Sequence, residues 1–417
     1  MRTSSDALVN TIFYPAGNKV LQLVRQRRRF FSAMRVYLDH NAGSPLRPQV
    51  KQAVVEALDL AANASSIYQE GRKAKGLVER ARQSVAGMVG AVNGAVTFTS
   101  GGSEANATIL QPSIIAKGKT ISIDRLLVSA TEHDSVLKGG RFAPGQIDII
   151  PVDADGLVDL AFLAERLSSI RSNGETALVA VMLANNETGV LQPVEAVGQL
   201  VAENDAYFLC DAVQGPGKLA VDIERIGAHF LTLSSHKLGG PQGAGAIVRR
   251  SEAYAFQPLI RGGGQESFGR AGTENISAIH GFGVAAELIV NEAAERVRIG
   301  AMRDAMEQQL SGVVVFGANV DRLPNTSCFA VPGHTAETML ISLDLQGFAV
   351  SSGSACSSGK VGVSHVLTAM DVAQSTARGA LRISLGWNTT DEQVKLFVEA
   401  FNNMAETLSP RQRVTAA

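Results

Sequence analysis

Through the middle of this chain short apolar runs alternate with amphipathic stretches, and the apolar runs end in polar clusters. Val96–Thr99 leads into Ser100-Gly101-Gly102-Ser103-Glu104, and a helical stretch follows over 105–110. Residues 126–129 form a second run, with a helical start at Asp134. Residues 177–183 are continuously apolar, as expected of a strand covered on both faces. Residues 193–202 read as a helix with Pro193 in its first turn. Residues 207–209 and Phe230–Ser234 read as further strands. This rhythm predicts an α/β protein with a mostly parallel sheet and helices on both faces.

In such sheets ligands bind beyond the carboxyl ends of the strands. The polar clusters sit at those ends: Ser100 to Glu104, Glu132-His133, Asn185-Asn186-Glu187, Asp211 to Gln214, and Ser234 to Lys237. They are therefore expected to converge on one site.

The 417 residues exceed what one typical core holds, so two unequal domains are expected. The rhythm loosens after about residue 290, where a long amphipathic helix spans 292–310. The expected division is a basic extension at 1–34, a segment at 35–48 joined to the smaller domain, a large domain at 49–290 and a small one at 291–417. The basic arm, with Val24-Arg25-Gln26-Arg27-Arg28-Arg29, reads as a disordered extension or an upstream start, since Met34 directly precedes a strand-like segment. An organelle transit peptide is the alternative. With 38 basic and 39 acidic residues, no bulk charge points to nucleic acid or an acidic membrane. Three cysteines without paired spacing argue against a disulfide framework and a zinc site, and fit a reducing compartment such as the cytoplasm. No apolar run reaches the roughly 20 residues of a membrane span.

Several segments carry candidate chemistry. Gly101-Gly102-Ser103 opens a helix after a strand, a cradle for phosphate or a simple helix cap. Asp211 ends a strand, where a carboxylate caps a helix or pairs with a protonated pyridine nitrogen. Lys237, in Ser234-Ser235-His236-Lys237, is a Schiff-base nucleophile or a lysine in a surface turn. The order phosphate loop, aspartate, lysine favours the cofactor reading of all three. Arg382 alternates with apolar neighbours on a strand and suits bidentate capture of a carboxylate. Arg270 and Thr273 could reach a second anion or a neighbouring subunit. Cys356 lies in the small, polar stretch Ser351-Ser352-Gly353-Ser354-Ala355-Cys356, unlike a packing cysteine, and reads as a nucleophile. Cys210 and Cys328 sit in apolar strands and read as packing residues.

The combined pattern resembles the cysteine desulfurases of the NifS/IscS type, in the class V aminotransferase group of fold-type I pyridoxal-phosphate enzymes. The likeness runs from Val36-Tyr37-Leu38-Asp39-His40-Asn41-Ala42 to about Asn402. Its most specific motifs are Ser235-His236-Lys237, Asn185-Asn186-Glu187-Thr188-Gly189, Asp211-Ala212-Val213-Gln214 and the Cys356 stretch. The resemblance implies a large domain with a mostly parallel seven-stranded sheet and a smaller α/β C-terminal domain. It implies pyridoxal 5'-phosphate bound covalently by Lys237. Gly102, Ser103, Ser234 and His236 would hold the phosphate, with Thr273 contributed across a homodimer. His133 would stack on the ring, Asp211 pair with its nitrogen, and Gln214 and Asn186 meet its hydroxyl side. Arg382 with Asn186 would hold the substrate carboxylate. Lys237, Cys356 and His133 would be catalytic, taking sulfur from L-cysteine and leaving L-alanine. An acceptor in iron–sulfur cluster assembly, such as a scaffold protein, or in tRNA thiolation would receive the sulfur.

Two departures stand out. The phosphate loop has Gly102-Ser103 where the family commonly has alanine and threonine, and Ser235 stands where glycine is common. The rival readings are another class V enzyme (an aminotransferase or epimerase), a selenocysteine lyase, or a non-catalytic sulfur-relay subunit.

Overall fold

The computed structural model describes residues 35–60, 62–353 and 362–408. The basic arm and Cys356 lie outside the described residues. The central sheet has seven strands: β1 (Val96–Thr99), β2 (Arg125–Ser129), β3 (Ile147–Ile150), β4 (Ala177–Ala180), β5 (Tyr207–Asp211), β6 (Phe230–Ser234) and β7 (Gly245–Arg249). Their order is β3-β2-β4-β5-β6-β7-β1. Neighbours are parallel except on both sides of β7, which runs against β6 and β1. The carboxyl ends of β1, β2, β4, β5 and β6 therefore share one edge, and each bears one of the polar clusters.

Strands β2, β4 and β5 carry apolar side chains on both faces because both faces are covered. Leu127, Val179, Phe208 and Leu231 enter a core built with Val78, Ala81, Val85 and Phe282 of helices Gln69–Met88 and Ile276–Val290. Their strand neighbours Leu126, Val128, Leu178 and Leu209 point the other way, against Ala105 and Ile109 of helix Gly102–Ile109. At Gly245 a Cβ would lie 2.5 Å from the Gly101 carbonyl carbon, so only glycine lets β7 approach the loop after β1.

The run at 177–183 forms a strand only as far as Ala180. The Met182 N–H donates to the Glu132 carboxyl, so on the side facing β2 the ladder gives way to a side-chain bond, while the Val181 and Leu183 N–H groups still donate to carbonyls of β5. Pro193 caps the next helix, Val194–Glu203, from outside its first turn.

A second, antiparallel sheet joins Val314–Val315, Thr326–Ala330, Ala380–Ser384 and Ser351–Ser352. Its core sets Phe329 and Ile383 against Met306 of helix Ala293–Gln309 and Phe397 and Phe401 of helix Asp391–Leu408. Phe329 meets Phe401 edge-on at 5.3 Å. Val36–Tyr37 pairs with Phe348–Ala349, which brings the beginning of the described chain to this second unit. Residues 39–42 then cross to the central sheet: the His40 N–H donates to the Ser384 carbonyl at 3.1 Å, and the Asn41 carbonyl turns toward Lys237.

Candidate active site

A cavity of about 340 Å³ opens at the shared carboxyl edge. On its floor Asp211 ends β5 and is 7% exposed. Asn106 Nδ2 donates to Asp211 Oδ2 at 2.8 Å, and the Val213 N–H donates to Oδ1 at 3.0 Å. Asn106 is itself fixed, because Thr232 donates to its Oδ1 at 2.7 Å. A carboxylate offers about four lone-pair directions, so Asp211 keeps acceptor capacity toward the cavity. His133, also on the cavity, accepts the Ser135 N–H on Nδ1 at 3.1 Å, which leaves Nε2 to carry the ring proton.

The opposite side is cationic. Lys237 Nζ donates to the carbonyls of Asn41 at 2.6 Å and Ala42 at 2.9 Å. Gln214 Nε2 donates to the same Asn41 carbonyl at 3.1 Å. Arg382 is 1% exposed; its Nη1 donates to the Asn186 carbonyl at 2.9 Å and its Nη2 to Asp39 Oδ1 at 2.7 Å. Its Nε is buried without a partner, an unfilled donor in a wall of the site.

At the third end, Gly102 and Ser103 start helix Gly102–Ile109, Ser234 ends β6 and His236 follows it. A Cβ at Gly102 would lie 2.8 Å from Val213 Cγ2, so alanine there would press on Val213. Burial, with Lys237 and Lys218 nearby, pushes His236 down to about 4, so its ring is neutral at physiological pH. Ser235 is fully buried with no partner for Oγ, and Gly240 makes room for it: a Cβ at Gly240 would lie 2.1 Å from that oxygen. Arg270 is drawn to the helix start instead of a second anion, its Nε 3.0 Å from Glu104 Oε1. Burial opposes ionisation of Glu104, but bonds from Arg270 and Ser100 outweigh it and hold the carboxyl below its ordinary value.

The aminotransferase class-V family model matches residues 36–397. The chain belongs to the class-V aminotransferase family. Within it, the chain is 37% identical over 390 residues to the cysteine desulfurase IscS of Dictyoglomus turgidum, covering 90% of this chain and 96% of that one. It superposes on the structure of a NifS-like protein from Rickettsia africae with a TM-score of 0.80 and 35% identity, over 89% of this chain and 100% of that one. SspA, solved in complex with cysteine, superposes with a TM-score of 0.70 and 28% identity, over 84% and 98%.

For a class-V chain, the site gathers the sequence candidates Gly102, Ser103, His133, Asn186, Asp211 and Gln214 on one cavity. Ser234, His236, Lys237 and Arg382 line it too. Thr273 does not. Cys210 and Cys328 are buried strand residues, and burial pushes both thiols above the ordinary cysteine value, so neither is poised as a thiolate nucleophile. Sequence reasoning missed Asn41, Asp39, Asn106 and Lys218. Asn41 acts through its backbone carbonyl, which no residue type announces. Glu132 and Glu187 belong to the polar clusters expected at the strand ends, but their burial was not foreseen: it pushes Glu132 well above its ordinary value, and Glu187 up to about 7. Among the described residues no cluster of metal-ligating side chains occurs, and no helix is long and apolar enough to cross a membrane.

Proposed function

We propose that this chain is a pyridoxal-phosphate cysteine desulfurase. It would take sulfur from L-cysteine, release L-alanine and hold the sulfur as a persulfide on Cys356. The observation that carries this reading is the donor set of one cavity: an amine (Lys237), a buried carboxylate (Asp211), anion donors at a helix start, and a buried guanidinium with a spare N–H (Arg382). The four match, in turn, an aldehyde, a pyridine nitrogen, a phosphate and a substrate carboxylate.

When bound, pyridoxal phosphate supplies an electron sink for charge at the substrate α-carbon. Asp211 holds positive charge at the ring nitrogen and so keeps that sink deep. Gly102, Ser103, Ser234 and His236 hold the phosphate. Arg382 and Asn186 hold the substrate carboxylate, with Asp39 yielding its place on the guanidinium. Lys237 Nζ takes the α-proton and returns it. His133 exchanges a proton with a thiol through Nε2. The Cys356 thiolate attacks the substrate sulfur; the S–S bond forms, the C–S bond breaks, and its electron pair goes to the carbon that is protonated to alanine.

The exposed apolar side chains Ile67, Tyr68 and Phe268 support a homodimer, in which Thr273 of the partner subunit would join the phosphate site. The pairing of Val36–Tyr37 with Phe348–Ala349 supports the division at about 290, with 35–48 joined to the second part. We assign the reaction to the cytoplasm, with an iron–sulfur scaffold or a tRNA-thiolation protein as acceptor.

The test compares wild type, Cys356→Ala and Lys237→Ala. The visible spectrum is recorded with pyridoxal phosphate, then sulfide and alanine after adding L-cysteine and a thiol reductant. Wild type is expected to be coloured and to make both products. Cys356→Ala keeps the colour and loses sulfide. Lys237→Ala loses the colour and at least about 10⁴-fold in turnover. Keto-acid formation from L-cysteine, or a Cys356→Ala variant as active as wild type, overturns the reading.

A further inference from the structure

We propose that Lys218 is a positioning residue: its Nζ fixes the Gln214 amide, and through Gln214 it sets the surroundings of Lys237. This rests on the function proposed above.

Lys218 is 7% exposed, and its Nζ donates to Gln214 Oε1. The turn after Gln214 brings it back: the Lys218 N–H donates to the Gly215 carbonyl at 3.1 Å, and Gly217 takes φ +82°, which a side chain would strain. The charged groups acting on Lys218 are Lys237 and Arg382, both cations. Burial, reinforced by those cations, pushes its amine well below the ordinary lysine value. A buried amine held by a neutral amide among like charges is a poor way to stabilise a fold, and an apolar chain of similar length would fill the space at less cost.

The arrangement does achieve one thing. An amide has one oxygen acceptor and one N–H donor end. Lys218 Nζ presents N–H to the oxygen end, and the Asn41 carbonyl can only accept from the nitrogen end, at 3.1 Å. Both contacts select the same orientation of Gln214. The same Asn41 carbonyl accepts from Lys237 Nζ at 2.6 Å. Gln214 and Lys237 thus share an acceptor on the cavity wall, and Lys218 prevents the amide from turning its oxygen toward that acceptor.

The experiment uses the full chain with pyridoxal phosphate and no substrate, as wild type, Lys218→Met, Gln214→Leu and the double variant. Cofactor dissociation constants come from equilibrium dialysis, and absorption maxima from visible spectra. Lys218→Met is expected to bind the cofactor about tenfold more weakly, with a displaced maximum, because the amide is no longer fixed. Gln214→Leu is expected to do at least as much, and the double variant no more than Gln214→Leu alone. Lys218→Leu takes the place of Lys218→Met if the latter does not fold. A Lys218 variant with wild-type affinity and spectrum overturns the inference, and so do losses that multiply in the double variant. A wild-type chain that binds no pyridoxal phosphate overturns the proposed function, and this inference with it.

Discussion

The two sides of the cavity are built by different rules. Asp211 is held on one oxygen by the Asn106 side chain, which the Thr232 side chain fixes in turn. All three residues lie on β5, β6 or the helix after β1, elements of one sheet layer. The cations opposite are held mainly by backbone carbonyls: Asn41 and Ala42 for Lys237, Asn186 for Arg382. A side-chain network fixes a charge that has to stay in place. A carbonyl is a weaker neutral partner, and an amine or guanidinium can leave it for a substrate without stranding an opposite charge. The exception is Asp39 on Arg382, a partly buried ion pair that a substrate carboxylate has to displace.

The largest test of this contrast is Asp211→Asn. The isostere keeps an oxygen for Asn106 but removes the negative charge, so turnover with L-cysteine is expected to fall on the order of 10²–10³-fold, with the fold retained. Steady-state kinetics and circular dichroism decide it; unchanged turnover would show that the fixed charge is not used.

Next comes Glu187, which neighbours Arg382 and accepts from the Ser364 hydroxyl. Burial pushes its carboxyl from 4.5 up to about 7, against the Ser364 bond and Arg382. A raised acid contributes stability at low pH that is lost as pH rises from about 4.5 through about 7. Glu187→Gln stays neutral throughout. Urea unfolding should therefore find wild type losing on the order of 2–3 kcal/mol relative to Glu187→Gln between pH 5 and pH 8. Parallel stability curves would sink this account.

The smallest effect belongs to the ion pair. Arg382→Lys replaces a fork by a point charge, and KM for L-cysteine is expected to rise about tenfold while kcat changes less. Asp39→Asn frees the fork and should lower KM. A rise in both variants would mean that Asp39 orients Arg382 instead of competing for it.

Much of this was legible in the chain. The alternation of apolar runs and the polar clusters that end them predicted one α/β sheet and one convergent edge, because residues just past a strand stay at its end. Phe230–Ser234 forms a strand over the residues expected. The run at 177–183 shows the limit: hydropathy cannot register that the Met182 N–H finds a carboxylate instead of a neighbouring strand. What the sequence determined was the set of reactive side chains and their order on the sheet. Tertiary structure alone decided their partners. Lys237 meets the Asn41 carbonyl across 196 positions, and Arg382 meets Asp39 across 343. Every residue offers the same backbone carbonyl whatever its side chain, so which carbonyl receives a buried cation is settled only when distant segments pack together.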